Sequence, residues 1–160
     1  MSFNIREAKK QDASAVLDLI TELAVFEKEP TAVEVTVADI EKDGFSDIPK
    51  FKIFVAEEAS SIIGIALIYM RYSTWKGPIV HLEDLIVTEK KRKLGVGKAL
   101  YTRVLKYAHS LSVKRVSWEV IDWNTNAIDF YESTGATILS DWSVVQMSEE
   151  NLEKFVKNNS

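Results

Sequence analysis

Residues 62–72 are apolar on both parities: Ile63, Ile65, Leu67 and Tyr69 alternate with Ile62, Ala66, Ile68 and Met70. A strand of that kind leaves neither face to water, so it sits in the middle of a sheet under helices on both sides. Strand and helix patterns alternate around it, which points to an α/β (α+β) layered fold. Residues 3–6, 51–57, 80–87, 115–121 and 142–147 read as further strands, with a polar turn at Ala59, Ser60 and Ser61. Val16, Leu17, Ile20, Leu23 and Ala24 recur at helical spacing, with Asp12 placed to cap or charge the helix start. Thr36 and Asp39 approximate a capping box for a second short helix that Gly44 is expected to stop. A third helix carries Val96, Leu100, Val104, Tyr107, Ala108 and Leu111. A fourth covers residues 124–133 before Gly135, and a last one opens at Ser148.

At 160 residues the chain is expected to form a single domain, 1–160, able to bury its own core without metal or disulfide. No apolar run approaches the roughly 20 residues that span a bilayer. The first residues show no basic leader before an apolar stretch, so secretion is not expected and a cytoplasmic location is. Cysteine is absent, which removes thiolate nucleophiles, and His81 and His109 are too far apart in sequence for a zinc spacing; no metal is expected.

The net charge of -4 hides two opposed segments. Residues 18–47 hold nine carboxylates against Lys28 and Lys42, whereas residues 88–115 hold nine lysines and arginines against Glu89 alone. Two solvated faces would account for such runs. So would one binding surface for an anion and another for a cation.

The basic segment contains Arg92, Lys93, Leu94, Gly95, Val96, Gly97 and Lys98 between a strand and a helix. Glycines let the backbone approach a ligand, and the free N–H groups and dipole of a helix start favour phosphate. The dinucleotide fingerprint is incomplete, because no third glycine follows Gly95 and Gly97. Ala99 after Lys98 excludes the nucleotide-triphosphate loop. By itself the Gly-x-Gly pattern suits a phosphate cradle and a plain turn equally well.

Arg92-x-x-Gly95-x-Gly97, followed by Trp123-Asn124, Phe130-Tyr131 and Gly135-Ala136, resembles the acetyl-CoA-dependent N-acetyltransferase (GNAT) superfamily over nearly the whole chain. Leu23-Ala24, Phe26-Glu27, Asp43-Gly44-Phe45, Leu82-Glu83-Asp84 and Asp122-Trp123-Asn124 are similar to its spermidine/spermine (diamine) acetyltransferase group. Where polyamine enzymes carry Asp-Pro-Trp, this chain has Ser73-Thr74-Trp75-Lys76-Gly77, and the run from Tyr72 to Gly77 is similar to the thialysine branch.

The resemblance implies a GNAT fold, a central mixed twisted sheet of six to seven strands flanked by helices on both faces. It also implies acetyl transfer from acetyl-CoA to the primary amine of a small cationic substrate. An alkyl ammonium has a pKa of about 10.4, so the enzyme must take a proton from it. By resemblance Glu83 is the base and Asp84 assists in amine binding, the two carboxylates being expected on opposite faces of their strand. His81, on the face of Glu83 in a regular strand, is a rival base.

Tyr131 occupies the position of the acid that protonates the departing thiolate. The backbone of Leu85, Ile86 and Val87, with Asn124, is implied to pair with the pantetheine arm, and residues 92–98 to hold the pyrophosphate. Glu27 resembles a substrate-contacting position, and Trp75 is a candidate to line the same channel. A homodimer is implied, with neither nucleic acid nor membrane as a partner. With no cysteine and no Gly-x-Ser-x-Gly elbow, direct transfer in a ternary complex is favoured over a covalent intermediate. A noncatalytic acyl-CoA sensor would need the cradle but not Glu83 or Tyr131, and a peptide N-acetyltransferase would need an open groove.

Overall fold

The structure is a computed structural model that describes residues 2–159. Two compact units account for the chain, Met1–Glu119 and Val120–Ser160.

The first unit is built on a sheet in the order β1-β2-β3-β4-β5, comprising β1 Asn4–Glu7, β2 Lys52–Glu58, β3 Ser61–Ser73, β4 Gly77–Val87 and β5 Val116–Ser117. β1 to β4 are antiparallel neighbours and β5 joins β4 in parallel. β3 is central and apolar on both sides, as its sequence requires. On one face Ile53, Val55, Ile65, Leu67 and Ile86 meet Val16 and Leu19 of α1 (Ala13–Phe26) and Ile40 of α2 (Val37–Gly44). The other face receives α3 (Val96–Ser110). There a side chain on Gly64 would lie 3.1 Å from Leu100, and the rings of Phe54 and Tyr107 meet edge to face at 5.6 Å.

Local signals explain most boundaries. Thr36 accepts from the Asp39 backbone N–H while Asp39 accepts from the Thr36 N–H and hydroxyl, a reciprocal cap that starts α2. Gly44 closes that helix, but its lack of a side chain matters for space: a Cβ there would come within 2.5 Å of the Phe51 ring. Asp12 does not cap α1. Its carboxylate instead accepts two bonds from Arg6, at 2.7 and 3.1 Å, and one from the Lys9 N–H at 2.6 Å.

Two strand expectations are corrected. The sheet has five strands among the described residues, not six to seven, because residues 115–121 pair only at Val116 and Ser117 and residues 142–147 pair with nothing. β-Branched and aromatic residues make a stretch fit to be a strand, but a ladder partner makes it one. In the second unit, α4 (Thr125–Ser133) ends before Gly135 at φ +92 and α5 (Glu149–Asn158) starts at the Ser148 cap. Trp142, Val144, Val145 and Met147 are exposed between them.

Candidate active site

β4 departs from regularity at the Leu82-Glu83-Asp84 motif. Leu67 pairs with Asp84 and Ile68 with Leu82, which leaves Glu83 as the extra residue of a β-bulge. In a regular strand Glu83 and Asp84 face opposite ways, and that was the expectation. The bulge brings them to one side. Asp84 shares its face with His81, since their partners Leu67 and Tyr69 are two residues apart, and Glu83 Oε2 lies 3.5 Å from His81 Nε2.

The carboxylates are unequal. Burial, then the charges of Glu83 and Glu27, pushes Asp84 up to about 6. Desolvation also holds Glu27, just after α1, above the usual carboxylate range. Glu83 keeps about half of its side chain exposed. Asp84 also borders a cavity of about 190 Å³ whose walls include Ile20, Ile40, Phe51 and Leu67, a feature no motif announced. Glu27, Glu83 and Asp84 are therefore brought together electrostatically. Trp75 is not: it is exposed at the tip of the β3–β4 hairpin, and the six residue steps from Gly77 to Glu83 span roughly 20 Å of strand.

Beyond His81 the outer edge of β4 has no strand partner among the described residues, because β5 pairs only with Val80 and His81. That leaves the Leu85 to Val87 side of the strand without a ladder. At its end Arg92 Nε donates to the Val87 carbonyl at 2.9 Å. The guanidinium also reaches Glu22 Oε1 at 3.4 Å and lies 5.2 Å from the Phe26 ring centre, while the Glu89 N–H donates to the same Glu22 oxygen at 2.8 Å.

Arg92 is thus a brace for the turn, and Lys91 is paired with Glu58. Lys90, Lys93 and Lys98 stand exposed, so the charge offered outward is smaller than the sequence count suggests. Lys93 at φ +63 and Gly95 at φ +83 turn the chain into α3. The Val96, Gly97 and Lys98 N–H groups, which have no partner inside the helix, lie in its first turn beside Leu94 and Gly95. Gly97 packs closely enough that a Cβ would touch Val87 at 3.6 Å.

In the second unit Asn124 caps α4, its side-chain oxygen accepting from the Ala127 N–H at 3.3 Å. Its amide N–H2 and the second lone pair of that oxygen remain for other partners. Tyr131 is buried on α4, its ring 5.5 Å from Phe130. Among the described residues no group of histidines and carboxylates suits a metal, and no helix is long and apolar enough to cross a membrane.

Residues 15–136 match the Acetyltransferase (GNAT) family. The chain belongs to that family. It is an acetyltransferase. Among its relatives is the thialysine N-epsilon-acetyltransferase of Bos taurus, 35% identical over 86% of this chain and 85% of the relative. A spermidine/spermine N(1)-acetyltransferase-like protein 1 of Homo sapiens is 34% identical over 94% of this chain, which spans 23% of that longer relative. The L-ornithine N5-acetyltransferase of Arabidopsis thaliana is 35% identical over 66% of this chain and 48% of its own length. Among solved structures, an integron cassette protein from the mobile metagenome of V. cholerae superimposes with a TM-score of 0.80 at 22% identity, covering 98% of this chain and 99% of that one. An aminoglycoside acetyltransferase from a soil metagenome gives 0.73 at 21% identity over 91% and 94% of the two chains. The GNAT fold is shared with both.

Proposed function

We propose that this acetyltransferase moves the acetyl group of acetyl-CoA onto the primary amine of a small cationic substrate, a diamine, polyamine or thialysine-like amino acid, by direct transfer in a ternary complex. The observation that carries the reading is the bulge at Glu83, which gathers Glu83, Asp84 and the field of Glu27 beside the unladdered edge of β4. Acetyl-CoA supplies an activated acyl group on a thiol leaving group. The cradle fits its pyrophosphate: residues 92–98 present helix N–H groups, Lys93 and Lys98 to solvent, and a Cβ at Gly95 would meet nothing within 4 Å. The open edge of β4 along Leu85, Ile86 and Val87 suits the amides of a pantetheine arm, with Asn124 as a further contact.

Asp84 and Glu27 attract and seat the ammonium, and Glu83, with half of its side chain exposed, accepts its proton and passes it to water. Tyr131 donates a proton to the departing thiolate. The names of the relatives, thialysine and spermidine/spermine-like acetyltransferases, support this substrate class. The exposed Trp142, Val144, Val145 and Met147 support the homodimer expected from the resemblance, since a partner would cover them. Incubation with acetyl-CoA and a panel of diamines, polyamines, lysine analogues and basic peptides, followed by free-thiol release, tests the reading. Turnover on small amines is expected, and release with peptides alone would overturn it.

A further inference from the structure

β4 and β5 touch over two residue pairs only, Val80 with Val116 and His81 with Ser117. That short contact sets the Ser117 hydroxyl 2.9 Å from His81 Nδ1. The other ring nitrogen, Nε2, faces Glu83 Oε2 at 3.5 Å. The imidazole has little freedom: His81 is 5% exposed and lies against Tyr69, its cross-strand partner, with ring centres 5.1 Å apart. Each nitrogen therefore has one neighbour, and the bulge is what brings the second neighbour within reach.

The charges decide which nitrogen carries the proton. Burial lowers the His81 pKa, and Arg71 adds to that, against the opposite pull of Glu83 and Glu119, so the ring is neutral at neutral pH. A neutral imidazole has one N–H and one lone pair. An ionised carboxylate only accepts, whereas a serine hydroxyl donates or accepts equally well. The N–H therefore belongs on Nε2, toward Glu83, and the Ser117 hydroxyl donates to Nδ1.

We infer that Ser117 and His81 are positioning residues for the proton transfer: Ser117 fixes the imidazole tautomer, and the Nε2–H of His81 holds the Glu83 carboxylate toward the incoming amine. The inference rests on the reading of Glu83 as the base. It also removes His81 as a rival base, because the lone pair of its ring points at Ser117 and away from the carboxylates. The 3.5 Å separation is long for a hydrogen bond, as catalytic contacts are before substrate tightens them. The other charged or titratable groups around the pair are Asp84, Glu27, Tyr69, Arg71 and Glu119.

The test combines kinetics with a spectroscopic readout. In 15N-labelled wild-type protein the His81 Nε2 should carry the proton at neutral pH and Nδ1 should not; a protonated Nδ1 overturns the inference without any variant. Ser117→Ala and His81→Leu should lower kcat/KM for the amine by roughly tenfold, as loss of an orienting partner does. The KM for acetyl-CoA should stay unchanged. Ser117→Thr should restore kcat/KM for the amine. Glu83→Gln separates the two readings: if it is inactive while Ser117→Ala behaves as wild type, the positioning role fails alone, and if Glu83→Gln keeps its activity the base and its supports fail together.

Discussion

Leu67 faces Asp84 directly across the β3–β4 ladder, which sets a carboxylate where its neighbour Leu67 and a largely apolar cavity leave it poorly solvated. The β-bulge lies in the same stretch of strand, and the charge of Glu27 acts on it from just after α1. The chemistry proposed for the chain depends on how that carboxylate and Glu83 divide the work.

Asp84 costs stability at the pH where it works. Its pKa rises from the ordinary 3.8 to about 6 on folding, mainly through burial. A raised folded pKa favours the native state below the unfolded pKa, and that advantage disappears as pH rises through the folded value. Asp84→Asn should therefore raise Tm at pH 8, by an amount corresponding to about 1–3 kcal/mol, and leave it nearly unchanged near pH 4. The same substitution should raise the amine KM. In the wild type the amine KM should climb as pH falls through about 6. Thermal melts at the two pH values decide the first point; a lower Tm at pH 8 would contradict it.

Gly95 starts α3 at φ +83, a conformation that an alanine adopts only with strain. No atom lies within 4 Å of a Cβ at that position, so crowding is not the issue. Gly95→Ala should cost about 1 kcal/mol of stability and raise the KM for acetyl-CoA, with the amine KM little changed. A binding isotherm for CoA identical to that of the wild type would refute a role for this turn in phosphate capture.

Tyr131→Phe keeps the ring and removes the proton donor. kcat should fall by about 10²-fold or more with little change in acetyl-CoA affinity, measured where chemistry limits the rate. Full turnover would take the acid role away from Tyr131.

The carboxylates of residues 18–47 and the lysines exposed around α3 should make both substrates sensitive to ionic strength. At 0.1 M salt the Debye length is about 10 Å, so added salt weakens steering before it weakens contact pairs. KM for the amine and for acetyl-CoA should both rise with salt. An amine KM that ignores salt would leave the acidic segment as a solvated face.

Features encoded by neighbouring residues were readable in the sequence. Thr36 and Asp39 form their reciprocal cap, Ser148 caps α5, and β3 is central because both of its faces are apolar. The basic Gly-x-Gly segment does run from a strand into a helix. Features that need a distant partner were not. The motif Leu82-Glu83-Asp84 contains no sign of a bulge, since the missing partner for Glu83 is a property of the β3 register. Asp12 has a cap-like position, but Arg6 from β1 claims its carboxylate. Arg92 reads as a phosphate ligand in its motif, but its ties to the Val87 carbonyl and to Glu22, seventy residues away in sequence, could not be read there. Residues 142–147 carry strand composition without a strand to join.

The abbreviated contact between β4 and β5 leaves main-chain donors and acceptors of β4 open along one rim. Such a rim recruits any extended chain that offers amides, including a misfolded copy of itself. In the proposed reading a thioester donor with an amide-bearing tail would satisfy those groups as a substitute strand, and its occupancy would also guard against self-association.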